Sequence, residues 1–349
     1  MVSVRFYRPF LWSLALFAVL VGISCRSAPT PSPEVTRYAF ERPEMGVPFR
    51  IVLYATNQSA AKVAADAAFE RVKQLNDIMS DYDADSELSK LSQSSGQGLK
   101  VPVSAELWFV LKRAEELSER SKGAFDVTVG PFVNLWRRAR RQHQLPDPAR
   151  LEQARKAVGY EHMRLNARGR TVEMLVPNMR LDLGGIAKGY AVDQALRTLR
   201  GAGIHQALVE GGGDVAVSDP PPGKKGWRFD LSSLDVTNAP PDQFLLLNNA
   251  AISTSGDLYQ RLEIDGKRYS HIVDPRTGIG LTDHSLVSVI ARDSITADSL
   301  TKVVSVLGPE KGLKFIEATP GVATRIMREP GERIQMYEST RFRRYYEAR

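Results

Sequence analysis

The sequence predicts an α+β protein in which a mixed β-sheet forms the core and helices lie outside it. Strand-like and helix-like segments alternate along the chain, and no internal repeat or long low-complexity block interrupts them after residue 40. The chain has 349 residues, of which 43% are hydrophobic and 25% are charged, enough to bury a large core in one domain or two interlocked ones.

The N-terminus predicts a signal peptide over residues 1–25. Arg5 and Arg8 precede an apolar run at residues 10–23 that is too short to span a bilayer. Cys25, the single cysteine in the sequence, ends this run, which favours lipid attachment after cleavage; a plain secretory signal is the alternative. Lipid attachment at Cys25 would place the protein in the cell envelope as a membrane-anchored lipoprotein facing the periplasm or the cell exterior.

A flexible tether is expected at residues 26–40, where three prolines alternate with small residues. The folded domain is expected over residues 41–340. Its elements are predicted, in order, as a strand at Phe49–Ala55, helices at Ser59–Met79, Ser104–Ser121 and Pro148–Val158, a helix ending at Arg200, a strand at Gln206–Glu210, strands between Trp227 and Ile290, and a helix at Thr296–Leu307. Ser104 and the Asp147-Pro148 pair are typical helix starts, and Gly123 and Gly308-Pro309 are typical helix ends.

The charge pattern argues against nucleic acid as a partner. The formal net charge of +7 is spread over every region of the chain, so an anionic small molecule is the simpler partner. The basic run at residues 137–141 is interpreted as a solvated helix face.

The segment Arg180–Val192 is the strongest indication of a ligand site. A short apolar strand ends in Asp182, two glycines follow, and a helix then opens that carries Lys188. Glycines let the backbone approach a ligand, and the first N–H groups of a helix, left unpaired, attract phosphate. A structural turn between strand and helix is the alternative interpretation.

Three other segments could contact a ligand, and the first two also have a purely structural interpretation. Tyr82 follows a helix in a polar loop, where its ring could stack on a planar ligand or pack against its own helix end. Residues 122–131 read as a glycine-bounded strand that lies along a ligand or at a sheet edge. The three glycines of Glu210–Asp214 let a ligand touch the main chain, but their spacing and the lack of a following helix exclude a Rossmann fingerprint.

Two segments supply groups for catalysis. His271 lies between a serine and an Asp-Pro turn, a polar setting that suits a proton acceptor, although an isolated histidine is usually structural. On a helix, Asp298, Thr301 and Lys302 share one face, so a carboxylate, a hydroxyl and an ammonium can converge. Oxygen ligands with this spacing suit magnesium.

Taken in this order, the segments resemble the ApbE family of flavin transferases, from about Met45 to Leu307. The most specific matching pieces are residues 123–136, 181–193, 270–278 and 297–308. The resemblance implies an α+β fold of the ApbE type and a magnesium-dependent reaction that moves the FMN half of FAD to a threonine or serine hydroxyl of an acceptor protein and releases AMP. Hydrolysis of FAD to FMN and AMP, or flavin binding without turnover, are the alternatives.

The resemblance also implies roles for individual residues. His271 would be the base, and the metal would be held by Asp298, the Gly185 carbonyl and Thr301. The position of Lys302 departs from the family pattern, which usually has threonine there. The predicted contacts to the flavin nucleotide are Met45, Tyr82, Gly123, Ala124, Phe125, Asp182, Lys188 and Ile272.

Overall fold

The computed structural model describes residues 34–231, 244–256, 261–331 and 333–347. The predicted signal peptide and Cys25 lie outside these ranges, so the lipid anchor stays a prediction. In the described ranges, no helix combines the length and apolarity needed to cross a membrane.

An eight-stranded sheet organises the domain, with strand order β1-β2-β6-β7-β10-β13-β14-β15. The described strands are β1 Thr36–Glu44, β2 Val47–Ala55, β3 Val101–Pro102, β4 Met163–Asn166, β5 Thr171–Met174, β6 Ala207–Gly211, β7 Asp214–Val217, β8 Trp227–Asp230, β9 Phe244–Leu247, β10 Ala250–Gly256, β11 Arg261–Ile264, β12 Lys267–Ser270, β13 Ser285–Ala291, β14 Ala323–Arg328 and β15 Gln335–Glu338. The predicted α+β class, with helices outside the sheet, is confirmed. The sequence predicted a mixed sheet, but each neighbouring strand pair in this sheet is antiparallel.

The helices pack mainly on one face of this sheet. Their bounds are α1 Gln58–Met79, α2 Glu87–Gln93, α3 Ala105–Ser121, α4 Gly130–Gln142, α5 Pro148–Arg155, α6 Ala187–Gly201 and α7 Ser294–Glu317, with 3₁₀ turns at Tyr160–His162 and Phe342–Tyr345. Strand β2 shows how the two faces divide: Phe49, Ile51 and Leu53 enter the main core under the helices, and Val52 packs into a smaller cluster on the opposite face. This period-two alternation is what the sequence displays.

The domain is wider at both ends than the predicted 41–340. Strand β1 begins at Thr36 and pairs along its whole length with β2, so the last five residues of the predicted tether lie in the sheet. At the other end, Phe342 is fully buried in the smaller cluster. The proline-rich part of the predicted tether lies outside the described residues and stays a prediction.

Two predicted elements differ from the structure. Residues 122–131 do not form a strand, because the Asp126 carboxylate accepts hydrogen bonds from the Thr128 N–H and hydroxyl and turns the chain. Helix α4 then begins at Gly130 with Pro131 in its first turn and carries the basic run. The interpretation of that run as a solvated face is wrong for Arg137, whose side chain is 16% exposed and forms ion pairs with Asp81 and Asp182. Helix α7 is interrupted at Gly308, with φ of 74°, where the prediction placed its end, and a second helical segment that was not predicted continues to Glu317.

Candidate functional site

The loop Asp182–Ile186, which leads into α6, joins two groups of charged residues. Its backbone is held by the Asp182 N–H, which donates to the Val127 carbonyl at 2.8 Å. The Gly184 N–H donates to Asp182 Oδ1 at 2.8 Å, and the Gly184 carbonyl accepts from Lys188 Nζ at 3.2 Å. Gly184 therefore contacts one residue of each group, Asp182 through its N–H and Lys188 through its carbonyl.

The first group is a charge cluster made of Lys188, Asp214, Asp298 and Lys302. Lys188 Nζ lies 3.3 Å from Asp214 Oδ2 and 4.0 Å from Asp298 Oδ2. Lys302 Nζ donates to Asp298 Oδ1 at 2.8 Å and to Thr301 Oγ1 at 3.0 Å. The predicted convergence of Asp298, Thr301 and Lys302 on one helix face is therefore what the structure has.

Burial and charge act in opposite directions on these groups. Burial alone would lower the pKa of Lys188, but Asp298 and Asp214 raise it above its usual range, so Lys188 is an ammonium at neutral pH. Burial would raise the pKa of Asp298, yet Lys188 and Lys302 lower it. Burial and the neighbouring Asp298 raise the pKa of Asp214.

Glycines at two places in the fold let the strands and helices that carry the charge cluster approach one another. Gly212 and Gly213 form the two-residue turn between β6 and β7, with φ of 62° and 93°, which places Asp214 opposite Gly211 at the start of β7. Gly189 of α6 touches α7, because a Cβ there would lie 2.4 Å from the Ser294 carbonyl oxygen. The glycine-rich segment is thus a hairpin, which agrees with the exclusion of a Rossmann fingerprint.

Two N–H groups in the first turn of α6 are paired within the protein, where the sequence predicted unpaired groups. The Ala187 N–H donates to the Leu183 carbonyl at 2.8 Å, and the Gly189 N–H donates to Asp298 Oδ2 at 3.2 Å. A carboxylate here is favoured by the helix dipole. The other positive groups beside this loop are the ammonium groups of Lys188 and Lys302.

The second group consists of Asp81, Arg137 and Asp182, and it lies beside Tyr82, whose ring was predicted to stack on a planar ligand. Tyr82 is 80% exposed, so it does not pack against its own helix end. The Arg137 guanidinium lies 4.2 Å from the centre of the Tyr82 ring and forms ion pairs with Asp81 and, at 3.0 Å, with Asp182. Burial and Asp81 raise the pKa of Asp182, while Arg137 opposes them. One face of the ring is covered by Arg137, and the side chain remains open to a ligand.

The loop carrying His271 is attached to both α4 and α7. His271 is half-buried between β12 and the turn at Asp274. Trp136 Nε1 donates to the Gly278 carbonyl at 2.8 Å, and Arg276, paired with Asp274 at 2.8 Å, reaches the Val306 carbonyl of α7 at 3.5 Å. These contacts hold the turn that follows His271 against α4 and against the helix that carries Asp298.

The remaining predicted contacts lie in neighbouring turns. Gly123, with φ of 74°, ends α3, and its N–H donates to the Ser118 carbonyl at 2.9 Å. Ala124 and Phe125 are buried, and the Phe125 ring borders Gly185, 3.4 Å from the place of a Cβ there. Met45 is in the turn between β1 and β2, and Ile272 is buried beside His271; their ligand roles stay predictions.

Sequence reasoning missed Asp81, Arg137 and Asp214 as members of the site. Asp214 could have been found, because an acid directly after a Gly-Gly turn is held at a strand start. Arg137 carried no such signal, because its basic neighbours on α4 are typical of a solvated face. Its role depends on Asp81 and Asp182, which are 56 and 45 residues away in the chain.

The residues present do not fit a magnesium ion at the predicted place. Magnesium demands near-octahedral oxygen ligands at about 2.0–2.1 Å. The Lys302 ammonium bonds to both Asp298 and Thr301, and a Cβ on Gly185 would lie 3.0 Å from Lys302 Cγ. The Lys302 side chain therefore bonds to two of the predicted ligand residues and passes close to the third, Gly185. The ranges that the structure describes also contain no cluster of three or more His, Cys, Asp or Glu side chains suited to a metal.

Comparison with known proteins identifies the family. Residues 45–326 match the ApbE family. A protein of Vibrio cholerae named FAD:protein FMN transferase is 32% identical over 311 residues, 88% of this chain and 90% of the relative, and a protein of Haemophilus influenzae with the same name is 34% identical over 252 residues, 70% and 73%.

Solved structures of ApbE proteins are also similar to this chain. The flavin transferase ApbE from Vibrio cholerae superposes with a TM-score of 0.80 at 29% identity, covering 89% of this chain and all of that one. The apo flavinyl transferase ApbE of Pseudomonas stutzeri gives a TM-score of 0.80 at 28% identity, covering 90% of this chain and 98% of that one. The chain is a member of the ApbE family.

Proposed function

We propose that this chain is an FAD:protein FMN transferase that moves the FMN moiety of FAD to a threonine or serine hydroxyl of an acceptor protein. The hydroxyl oxygen attacks the phosphorus of the FMN half, a phosphoester bond forms, and the bond from that phosphorus to the AMP oxygen breaks. AMP leaves with both electrons of that bond, and the hydroxyl proton passes to a base. The names of the relatives, which align over most of the chain, support this reaction.

The observation that carries the proposal is the pair of ammonium groups beside the Gly184–Gly185 loop. Lys188 and Lys302 have partly exposed side chains, at 21% and 17%, so they can face the pyrophosphate while their carboxylate partners stay buried. Fixed positive charge lowers the barrier by offsetting the charge that grows on the leaving phosphate. Tyr82 would stack on the isoalloxazine ring, and His271 would accept the proton of the attacking hydroxyl.

The family resemblance implies magnesium dependence, but the contacts of Lys302 with Asp298 and Thr301 do not fit an ion at the predicted place. A metal ion would supply charge neutralisation at the pyrophosphate. In this chain the Lys302 ammonium bonds to two of the predicted ligands, Asp298 and Thr301, so Lys188 and Lys302 supply positive charge beside the loop.

A single incubation separates the transferase from its alternatives. The soluble domain starting at Glu34 is mixed with FAD, with or without magnesium, and with an acceptor protein that carries an exposed threonine. We expect the acceptor to gain the mass of an FMN group and AMP to appear in equal amount. AMP with unmodified acceptor would indicate an FAD pyrophosphatase, and unchanged FAD would indicate a flavin-binding protein without turnover.

We also propose that the protein is a lipoprotein anchored through Cys25 in the cell envelope, with the catalytic domain facing the periplasm or the cell exterior. The apolar run that ends at Cys25 supports this location. Expression of the full chain and of Cys25→Ser, followed by fractionation and mass measurement, tests it. We expect the wild type in the membrane fraction with an acylated N-terminus, and recovery of Cys25→Ser in the same fraction would contradict the anchor.

A further inference from the structure

Lys302 makes contact with each of the three residues predicted to hold a metal. Its ammonium bonds to Asp298 Oδ1 and Thr301 Oγ1, and its stem passes close to Gly185, where a Cβ would lie 3.0 Å from Lys302 Cγ. The Thr301 hydroxyl donates its own proton to the Asp298 carbonyl at 2.6 Å. The lysine side chain thus bonds to two of the predicted ligands and passes close to the third residue.

Packing holds this ammonium in place. Asp298 is fully buried, and its two oxygens are used by Lys302 and by the Gly189 N–H. Helix α7 is itself anchored, because the Asp193 carboxylate accepts from the Ser294 and Ile295 N–H groups at 2.8 and 2.9 Å. Lys302 is therefore a fixed part of the site rather than a mobile surface chain.

The charges of the cluster balance without a metal ion. Asp214 and Asp298 supply two negative charges, and Lys188 and Lys302 supply two positive charges. A divalent cation at this place would have to expel the Lys302 ammonium or stand beside two ammonium groups in a buried setting, where like charges repel strongly.

We propose that the ammonium of Lys302 takes the place of the metal ion in this chain, so that FMN transfer needs no divalent cation between Gly185, Asp298 and Thr301. This inference rests on the proposed function for its catalytic part. An ammonium has three N–H donors, of which two are given to Asp298 and Thr301, and the third is available for a phosphate oxygen. Lys188 supplies the second positive charge on the other oxygen of Asp298.

The test compares the wild type with Lys302→Thr, which removes the ammonium and supplies a hydroxyl, and with Lys302→Met, which removes the ammonium and supplies no oxygen. Lys311→Thr is the matched control, because Lys311 is exposed on the same helix. Binding of Mn²⁺, a paramagnetic stand-in for magnesium, is measured by electron paramagnetic resonance on each protein. AMP release from FAD is measured in magnesium and in excess chelator, and circular dichroism checks folding.

We expect the wild type and Lys311→Thr to bind no stoichiometric Mn²⁺ and to keep their turnover in chelator. Lys302→Thr should bind one Mn²⁺ and lose about tenfold or more of its turnover when magnesium is removed, because an oxygen ligand then replaces the ammonium. Lys302→Met should bind no Mn²⁺ and turn over slowly in both conditions.

One Mn²⁺ bound by the wild type, together with loss of its turnover in chelator, would overturn the inference. So would wild-type turnover by Lys302→Met in chelator. If no protein releases AMP from FAD in any condition, the proposed function fails, and the Mn²⁺ titrations still decide whether Lys302 excludes the cation.

Discussion

At the scale of single residues, the site depends on charged side chains whose partners are far away in the sequence. Arg137 is the clearest example, since it binds two carboxylates and lies beneath the Tyr82 ring. Sequence reasoning placed Tyr82, Asp182 and Lys188 in the site because each stands next to a recognisable loop. It could not find Arg137, whose neighbours on α4 are three more arginines.

Removal of the Tyr82 ring should weaken FAD binding without affecting the fold. The side chain is 80% exposed, so the protein loses little packing in Tyr82→Ala. Stacking on the isoalloxazine is worth on the order of 1 kcal/mol, or about a fivefold change in dissociation constant. A titration followed by flavin fluorescence measures it, with Tyr82→Phe as the control that keeps the ring. Equal affinity for Tyr82→Ala and wild type would remove the stacking role.

Replacement of His271 should affect turnover far more than binding. A general base acts on the proton in the transition state, so His271→Ala is expected to keep FAD affinity and to lose about 100-fold or more in turnover. Single-turnover release of AMP, with FAD affinity measured in parallel, separates the two effects. A variant with full turnover, or one that fails to bind FAD, would show that the histidine is structural or a binding contact.

At the scale of elements, the close approach of α6 to α7 creates the charge cluster. Gly189 is the point of contact, and the neighbouring Asp298 accepts its N–H. Local sequence patterns predicted both helices, but hydrophobic periodicity shows only that each helix has a buried face. Which helix faces which is decided by packing.

A methyl group at Gly189 should force the two helices apart. Its Cβ would lie 2.4 Å from the Ser294 carbonyl oxygen and 2.8 Å from Asp298 Cβ. Overpacking of this kind costs about 1–3 kcal/mol, so we expect Gly189→Ala to lower the unfolding free energy by that amount and to reduce turnover. Chemical denaturation and AMP release measure the two effects.

Gly201, at the other end of α6, is the matched control because a Cβ there meets nothing within 4 Å. Gly201→Ala should leave turnover unchanged and raise stability by up to about 1 kcal/mol, since alanine favours a helix. Equal stability of Gly189→Ala and wild type would show that α6 and α7 can shift without cost.

At the scale of the whole molecule, the sheet extends beyond the residues that define the family match. Strand β1 precedes residue 45, where the match begins, and covers the edge of β2 along its full length. An uncovered strand edge exposes unpaired backbone groups and promotes association between chains. Residues 36–44, which precede the matched region, are therefore part of the folded unit.

A protein that begins at Met45 should be less stable than one that begins at Glu34. Without β1, strand β2 becomes the edge, and one side of it loses its backbone partners. We expect the midpoint of thermal unfolding to fall by roughly 5 °C or more and the shorter protein to associate. Scanning calorimetry and light scattering on the two proteins check this, and identical melting would show that β1 is dispensable.

The sequence by itself determined the features that depend on nearby residues. The α+β class and the starts of α3 and α5 follow from periodicity and capping residues, and the shared face of Asp298, Thr301 and Lys302 follows from the helix period. The family resemblance, which comparison with known proteins bears out, likewise rests on short contiguous motifs.

Only the tertiary structure decided which of these local features meet. It turned residues 122–131 away from the predicted strand, set Asp214 beside Lys188, and placed the Lys302 ammonium where the resemblance implies a metal. Such contacts join residues that are far apart in the chain, and their strength comes from burial, which lowers the local dielectric and makes each unpaired charge costly. A linear pattern shows which charges are present, whereas the packing of helices on the sheet decides which of them neutralise one another.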